Sequence, residues 1–261
     1  MVKFLKRFIP NQIKSFLIRH FYIEKSHWVN NRFSGKNLQK NIINVDQNKY
    51  QKLKSFREAE HQIGRFLNIK KVIRIVQDTH IKGDLVEFGT WQGEGLKLFD
   101  LALNQKIKKR MIGIDSFEGL PESSTIWKKG LFSNTSFEFV EKELRNHINN
   151  FSDVELIKGW FNDPLVAEKL YEKVQDVAIV HFDADLGSST LEALNIIEPY
   201  LKNRELPIYF LFDDWGCHPN EVPEAFNKWL NQAKSKFKIK EKIIFFTDLT
   251  RYYEISFENK T

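Results

Sequence analysis

Cysteine is almost missing from this chain. One residue, Cys217, among 261 allows no internal disulfide and no cysteine-clustered zinc site. A reducing compartment, and so a cytoplasmic location, is the expectation. Long apolar runs are missing too, and no stretch reaches the ~20 residues that a membrane-spanning helix needs. The first ten residues carry Lys3, Lys6 and Arg7 but neither a long apolar core nor a small-residue cleavage site, so no secretory signal is read there. Acidic residues are scarce in the first third: residues 1–82 hold 5 Asp and Glu against 18 Lys and Arg, whereas the remainder holds 29 against 22. The net charge of +6 therefore belongs to the N-terminal third and says little about chemistry elsewhere. No internal repeat and no low-complexity linker occurs.

What is present is ordinary for a soluble globular protein, with 42% hydrophobic and 28% charged residues. The 23 Phe and 6 Trp point to a core rich in aromatics. The length fits one sizeable domain with an appendage. Residues 1–79 are expected to form a basic, largely helical extension or lid, and residues 80–261 the main domain. Within the extension, residues 3–22 alternate Phe, Leu and Ile with Lys and Arg as an amphipathic helix, interrupted at Pro10. Its Phe face is expected to pack on the protein body or on a second protomer, giving a homodimer. Weak peripheral contact with anionic membrane is the less common use of such a helix. No nucleic-acid recognition motif accompanies the charge, so no nucleic-acid partner is expected. Residues 26–55 read as loop with short helical pieces, and Phe56 to about Thr79 as one or two helices.

From there strands and helices alternate. Leu85–Gly89 predicts a strand, Gly95–Leu103 a helix and Met111–Asp115 a second strand. Residues 116–152 form a polar and aromatic excursion too long for a plain connection. Val154–Lys158, Val177–Asp183 and Pro207–Asp213 predict three more strands, with helices at Pro164–Lys173, 190–202 and Glu221–Ala233. Phe237–Thr247 and Arg251–Ser256 close the chain as a strand pair with too little between them for a crossover, hence antiparallel. The pattern predicts an α/β fold, mainly parallel, with helices on both faces of the sheet.

Four strands end in acids. In an open α/β sheet the carboxyl ends of the strands are where ligands bind. The first ends Glu87-Phe-Gly89-Thr-Trp-Gln-Gly93, which is not the G-x-G-x-x-G of dinucleotide enzymes. An acid facing the crevice there suits a ligand with a cationic amino-acid end. Asp115 ends the second strand, where a carboxylate can take two ribose hydroxyls. The two together favour an adenosyl ligand. Asp183 and Asp213-Asp214 end neighbouring strands and should converge. Like charges so close need a cation, and three oxygen donors with no His or Cys cluster suit Mg²⁺. Read in isolation, each acid also fits a helix cap or a solvated turn.

The blocks Gly83-Asp-Leu-Val-Glu-Phe-Gly-Thr-Trp-Gln-Gly93, Ile114-Asp-Ser-Phe-Glu-Gly-Leu-Pro121, Lys158-Gly-Trp-Phe-Asn-Asp163, Asp183-Ala-Asp-Leu-Gly-Ser-Ser-Thr190 and Phe212-Asp-Asp-Trp215 resemble the macrocin O-methyltransferase family. The resemblance spans about residues 80–235. It implies the Rossmann-like class I methyltransferase fold, with a seven-stranded mainly parallel sheet and an antiparallel last strand. It also implies S-adenosylmethionine and Mg²⁺ as cofactors and a sugar hydroxyl as acceptor. Glu87, Gly89, Thr90 and Gly93 would line the methionine end of the cofactor, and Asp115 its ribose. Ser116, Phe117, Gly159, Trp160 and Phe161 would lie near ribose and adenine. Asp183, Asp213 and Asp214 match the metal ligands, and Asp185 the proposed base. Relatives often carry Tyr where this chain has Gly187, so a gap beside the acceptor pocket is expected.

A metal-dependent glycosyltransferase using Asp183-Ala-Asp185 is the first rival, but it leaves Glu87 and Asp115 without a role. A non-catalytic binding module of the same fold is the second. His181, inside the fourth strand, reads as a satisfied core histidine rather than a catalyst.

Overall fold

The computed structural model describes residues 47–103, 109–202 and 204–257. The amphipathic helix expected at 3–22 lies outside them. The chain divides into two compact units, Met1–Gly64 and Arg65–Thr261, and the second carries the sheet.

A helix, α1 (Gln47–Asp78), leads in as one continuous element and begins within the stretch expected to be loop. Its first turns are polar and carry no apolar period to announce them. The alternation then runs β1 (Asp84–Phe88), α2 (Glu94–Ala102), β2 (Met111–Asp115), α3 (Phe137–His147), β3 (Val154–Lys158), α4 (Pro164–Lys173), β4 (Val177–Phe182), α5 (Gly187–Ile197), β5 (Ile208–Phe212), α6 (Val222–Lys236), β6 (Ile239–Phe246) and β7 (Arg251–Phe257). Local chemistry sets several of these boundaries. Asp163 accepts the amide of Leu165 at 3.0 Å ahead of Pro164, a first-turn proline that needs no donor of its own. Ser136 caps α3 by accepting from Phe139, and this helix is what the excursion of residues 116–152 contains.

The seven strands order as β3-β2-β1-β4-β5-β7-β6. The first five pair in parallel, and β7 pairs antiparallel to both β5 and β6. This is the doubly wound, mainly parallel arrangement that the alternation predicted, with the topological switch between β1 and β4. All six residues of β4 are buried, as a central strand covered on both faces requires.

Register explains the core. Phe88, Phe182 and Phe212 pair across β1, β4 and β5 at the last rung of the sheet. Their rings stack in a row, 5.8 Å apart with a 7° interplanar angle and 4.7 Å apart with a 13° angle. Trp215, Phe226 and Tyr253 extend the cluster around Phe212. Side chains alternate between faces along a strand. With the three Phe committed to one face, the residues on either side of each are committed to the other: Glu87 and Gly89, His181 and Asp183, Leu211 and Asp213. That face carries the polar site.

Candidate active site

Glu87 and His181 sit opposite each other on β1 and β4. His181 Nδ1 lies 2.9 Å from Glu87 Oε1, with both side chains essentially without solvent contact. Room for the pair comes from Gly95 on α2, where an added Cβ would stand 1.7 Å from Glu87 Oε1. On its other edge His181 Nε2 faces Arg65 of α1 at 3.3 Å. A guanidinium has no acceptor, so Nε2 must accept and Nδ1 must carry the hydrogen that Glu87 accepts. Arg65 thereby sets the tautomer.

The same guanidinium spans two strand ends. One terminal nitrogen donates to Asp183 Oδ2 at 2.9 Å and the other to Asp213 Oδ2 at 2.9 Å. Arg65 and Asp213 are both buried, and Asp183 is partly so. Burial alone works against the Arg65 charge, but Asp213 and Asp183 more than offset it, and the group stays charged. Burial, joined by the charge of Arg65, lowers the His181 pKa to about 4, so the imidazole is neutral at physiological pH. Burial pushes the Glu87 carboxyl well above its usual range, and the neighbouring Asp183 pushes it the same way.

Beyond the strand ends the backbone is strained. Trp91 (φ 45°), Phe117 (φ 57°), Asp185 (φ 58°) and Asp214 (φ 55°) each lie two or three residues past β1, β2, β4 and β5. Positive φ in non-glycine residues is uncommon, costs on the order of 1–3 kcal/mol each, and clusters at functional sites. At Asp185 the chain makes a three-residue turn, with the Leu186 amide donating to the Ala184 carbonyl at 2.6 Å. The indole of Trp127 donates to the Asp185 carbonyl at 3.1 Å, fixing that turn from the long β2–β3 excursion. Gly187 opens α5, and its amide donates to Glu221 Oε2 at 2.7 Å. An added Cβ there would meet the Glu221 carbonyl oxygen at 2.9 Å. The gap expected at Gly187 is thus filled by the backbone of Glu221.

The other half of the crevice is organised by Asp115. Its two oxygens accept the amides of Trp91 at 2.8 Å and Phe117 at 2.6 Å, so it ties the β1 and β2 loops together. Burial raises its pKa, and the two amides act in the opposite direction. Ser116 Oγ accepts from the Glu118 amide, and Phe117 sets its ring edge-on to Phe137 of α3. Gly159 follows β3, with its amide donating to the Asp115 carbonyl at 2.9 Å. The Trp160 carbonyl closes the next turn, and Phe161 packs edge-on to Phe88 at 5.3 Å. Gly89, at φ 90°, lets the β1 end pass β4 closely, since a Cβ would overlap the Asp183 carbonyl at 1.9 Å. Thr90 is buried, and its carbonyl accepts the Gly93 amide at 2.7 Å ahead of α2. The residues singled out in the sequence therefore line one edge of the sheet.

Donor atoms of His181, Asp183 and Asp213 all lie within 4.8 Å of one another. Asp214 is buried beside them in sequence but stands outside that group, and its Oδ1 accepts from Cys217 Sγ at 3.3 Å. Sequence reasoning missed Arg65. The available signal was a basic residue inside the apolar run Ile63-Gly-Arg-Phe-Leu67, beside the buried Phe66. Glu221 and Trp127 were also missed, because a cap and an indole anchor depend on loops that meet only in three dimensions.

Residues 61–251 match the profile of the macrocin-O-methyltransferases. Demethyldecarbamoylnovobiocin O-methyltransferase of Streptomyces niveus is 25% identical over 194 residues, 70% of each chain. The 8-demethyl-8-(2,3-dimethoxy-alpha-L-rhamnosyl)-tetracenomycin-C 4'-O-methyltransferase of Streptomyces olivaceus is 28% identical over 160 residues, 52% of this chain and 56% of its own. The fold is shared with the calicheamicin methyltransferase CalS11, at a TM-score of 0.56 and 18% identity over 90% of this chain and 95% of the other. It is shared too with SAH-bound PaMTH1 of Podospora anserina, at 0.50 and 13% identity over 96% of this chain and 89% of the other.

Proposed function

The chain belongs to the macrocin O-methyltransferase family and is an O-methyltransferase, and from that premise we propose that it moves the methyl group of S-adenosylmethionine to a hydroxyl of a sugar or other vicinal diol with the help of Mg²⁺. A glycosyltransferase reading of Asp183-Ala-Asp185 does not survive the family match. The observation that carries the proposal is the convergence of two carboxylates and a neutral imidazole at the β4 and β5 ends, one loop away from Asp115.

The donor set fits a hard dication, with carboxylate oxygens from Asp183 and Asp213 and with Asp214 next in the chain. Bound there, Mg²⁺ would make an acceptor hydroxyl more acidic, and S-adenosylmethionine would supply an electrophilic methyl on sulfur. Asp185, in its strained turn, would take the hydroxyl proton as the S–CH₃ bond breaks and the O–CH₃ bond forms. Asp115 supports the donor end by holding the loops after β1 and β2 in one place and offering its remaining lone pairs to ribose hydroxyls. Glu87 lies too deep in its His181 contact to act as a proton carrier, so its role is to shape the floor under the donor. The relative whose named substrate carries a rhamnosyl group supports a sugar as acceptor.

The test combines calorimetry and turnover. S-adenosylhomocysteine should bind the protein, and transfer of labelled methyl from S-adenosylmethionine to nucleotide sugars or glycosides should require Mg²⁺. Asp185→Asn should retain S-adenosylhomocysteine binding and lose about 10²–10⁴-fold in kcat. Retention of most activity in that variant would remove Asp185 as the base, and activity in excess chelator would remove the metal.

A further inference from the structure

Two oxygens that a dication would use are already engaged. Asp183 Oδ2 and Asp213 Oδ2 each accept a guanidinium N–H of Arg65 at 2.9 Å, and the same group faces His181 Nε2 at 3.3 Å. All three members of the 4.8 Å cluster therefore turn a donor atom toward one arginine. Guanidinium and metal compete for this place. Even a dication held by the Oδ1 atoms would lie a few ångströms from a fixed positive charge, at an energy of several kcal/mol at the higher effective dielectric of partly buried sites.

We propose that Arg65 is a resident counter-ion of the Asp183–Asp213 pair and that loading a divalent metal is an exchange in which the guanidinium leaves. This rests on the metal-assisted reading above and goes beyond it by assigning a role to Arg65. The exchange has a physical logic. Without metal, two carboxylates on adjacent buried strands repel each other and draw protons, and Arg65 neutralises one charge while satisfying oxygens from both. Metal affinity in the native chain is then the intrinsic affinity reduced by the cost of breaking two charge-assisted hydrogen bonds.

The test compares the full-length protein with Arg65→Met and Arg65→Lys. S-adenosylhomocysteine binding serves as the control that each variant is folded. Titration with Mn²⁺, read by the electron paramagnetic resonance of the free ion, is run at mildly alkaline pH so that protons do not replace the guanidinium. Arg65→Met should bind Mn²⁺ at least about tenfold more tightly than the native chain, and Arg65→Lys should fall between them. Thermal melts supply a second readout independent of turnover. In chelator Arg65→Met should melt below the native protein, and in saturating Mg²⁺ its gain in Tm should exceed the native gain. Equal Mn²⁺ affinity in all three would overturn the exchange and leave the metal reading intact. Absence of Mn²⁺ binding in all three would overturn both. Should Arg65→Met fail the folding control, Arg65→Lys decides, with unchanged affinity counting against the exchange.

Discussion

Replacing Gly95 by Ala reverses the sign that helix propensity assigns to it. Gly95 is the second residue of α2 and has no left-handed φ, so on propensity alone Ala should add about 0.5–1 kcal/mol of stability. The structure says otherwise. The new methyl would start 1.7 Å from Glu87 Oε1 and 3.3 Å from His181 Nδ1. Glu87 is 1% exposed, and its other oxygen, Oε2, has no hydrogen-bond partner among the described residues, so it has nowhere polar to go. Moving it forfeits a hydrogen bond in the ionisable pair, worth about 1.5–3 kcal/mol, and forces a shift in a close-packed interior at about 1–3 kcal/mol. After the propensity gain is subtracted, Gly95→Ala should destabilise by about 2–5 kcal/mol. For a unit of this size that lowers Tm by about 5–15 °C. The assay is a double-mutant cycle by thermal and urea melts with Glu87→Ala as the second arm. In the Glu87→Ala background Gly95→Ala should be neutral or stabilising, because the atom it strikes is gone. A Gly95→Ala variant that melts at or above the native protein, or that loses equal stability in both backgrounds, would refute the assignment of Gly95 as the space for Glu87.

Three further outcomes follow from the site. Because the folded pKa of His181 is lowered to about 4, its contribution is intact above its unfolded value of about 6.5 and is lost as pH falls through about 4. Relative to His181→Gln, the native chain should lose on the order of 3 kcal/mol across that window, and nitrogen NMR should show the neutral Nδ1–H tautomer at pH 6. Trp127→Phe removes the 3.1 Å anchor on the Asp185 carbonyl and should lower kcat by about three- to tenfold, with S-adenosylhomocysteine affinity unchanged by calorimetry. Gly187→Tyr should cost about 1–3 kcal/mol in melts, because its Cβ meets the Glu221 backbone.

Central strands were legible because a strand covered on both faces is written as a short apolar run, and Val177–Phe182 is such a run. The convergence of Asp183 and Asp213 was legible for a related reason: parallel neighbours end at one edge, so the acid after each strand falls beside the other. The helix inside residues 116–152 was not, because α3 is 11 residues long, buries only Val140 and Leu144 and lies within a polar and aromatic stretch that masks their spacing. Arg65 was hidden by distance, its partners standing 118 and 148 residues away with no local pattern to tie them. In the sequence the paired aspartates call for a cation, and the chain places the Arg65 guanidinium against both. Glu87 was expected to line the donor site. It stands at that strand end, with its carboxyl against His181 Nδ1 and in the space that Gly95 leaves.

The span between Arg65 and its acids also bears on how the chain assembles. During synthesis Arg65 leaves the ribosome before any strand of the sheet exists, and Asp213 follows only after β1 to β5 have been made. Closing so long a loop is entropically costly and slow, and contacts of this separation form late. Before Asp213 is in place the arginine can reach only one of its two acids, Asp183 at the end of β4. The charge balance of the centre is therefore completed by the last of the parallel strands, and an intermediate lacking β5 would hold Arg65 against Asp183 alone.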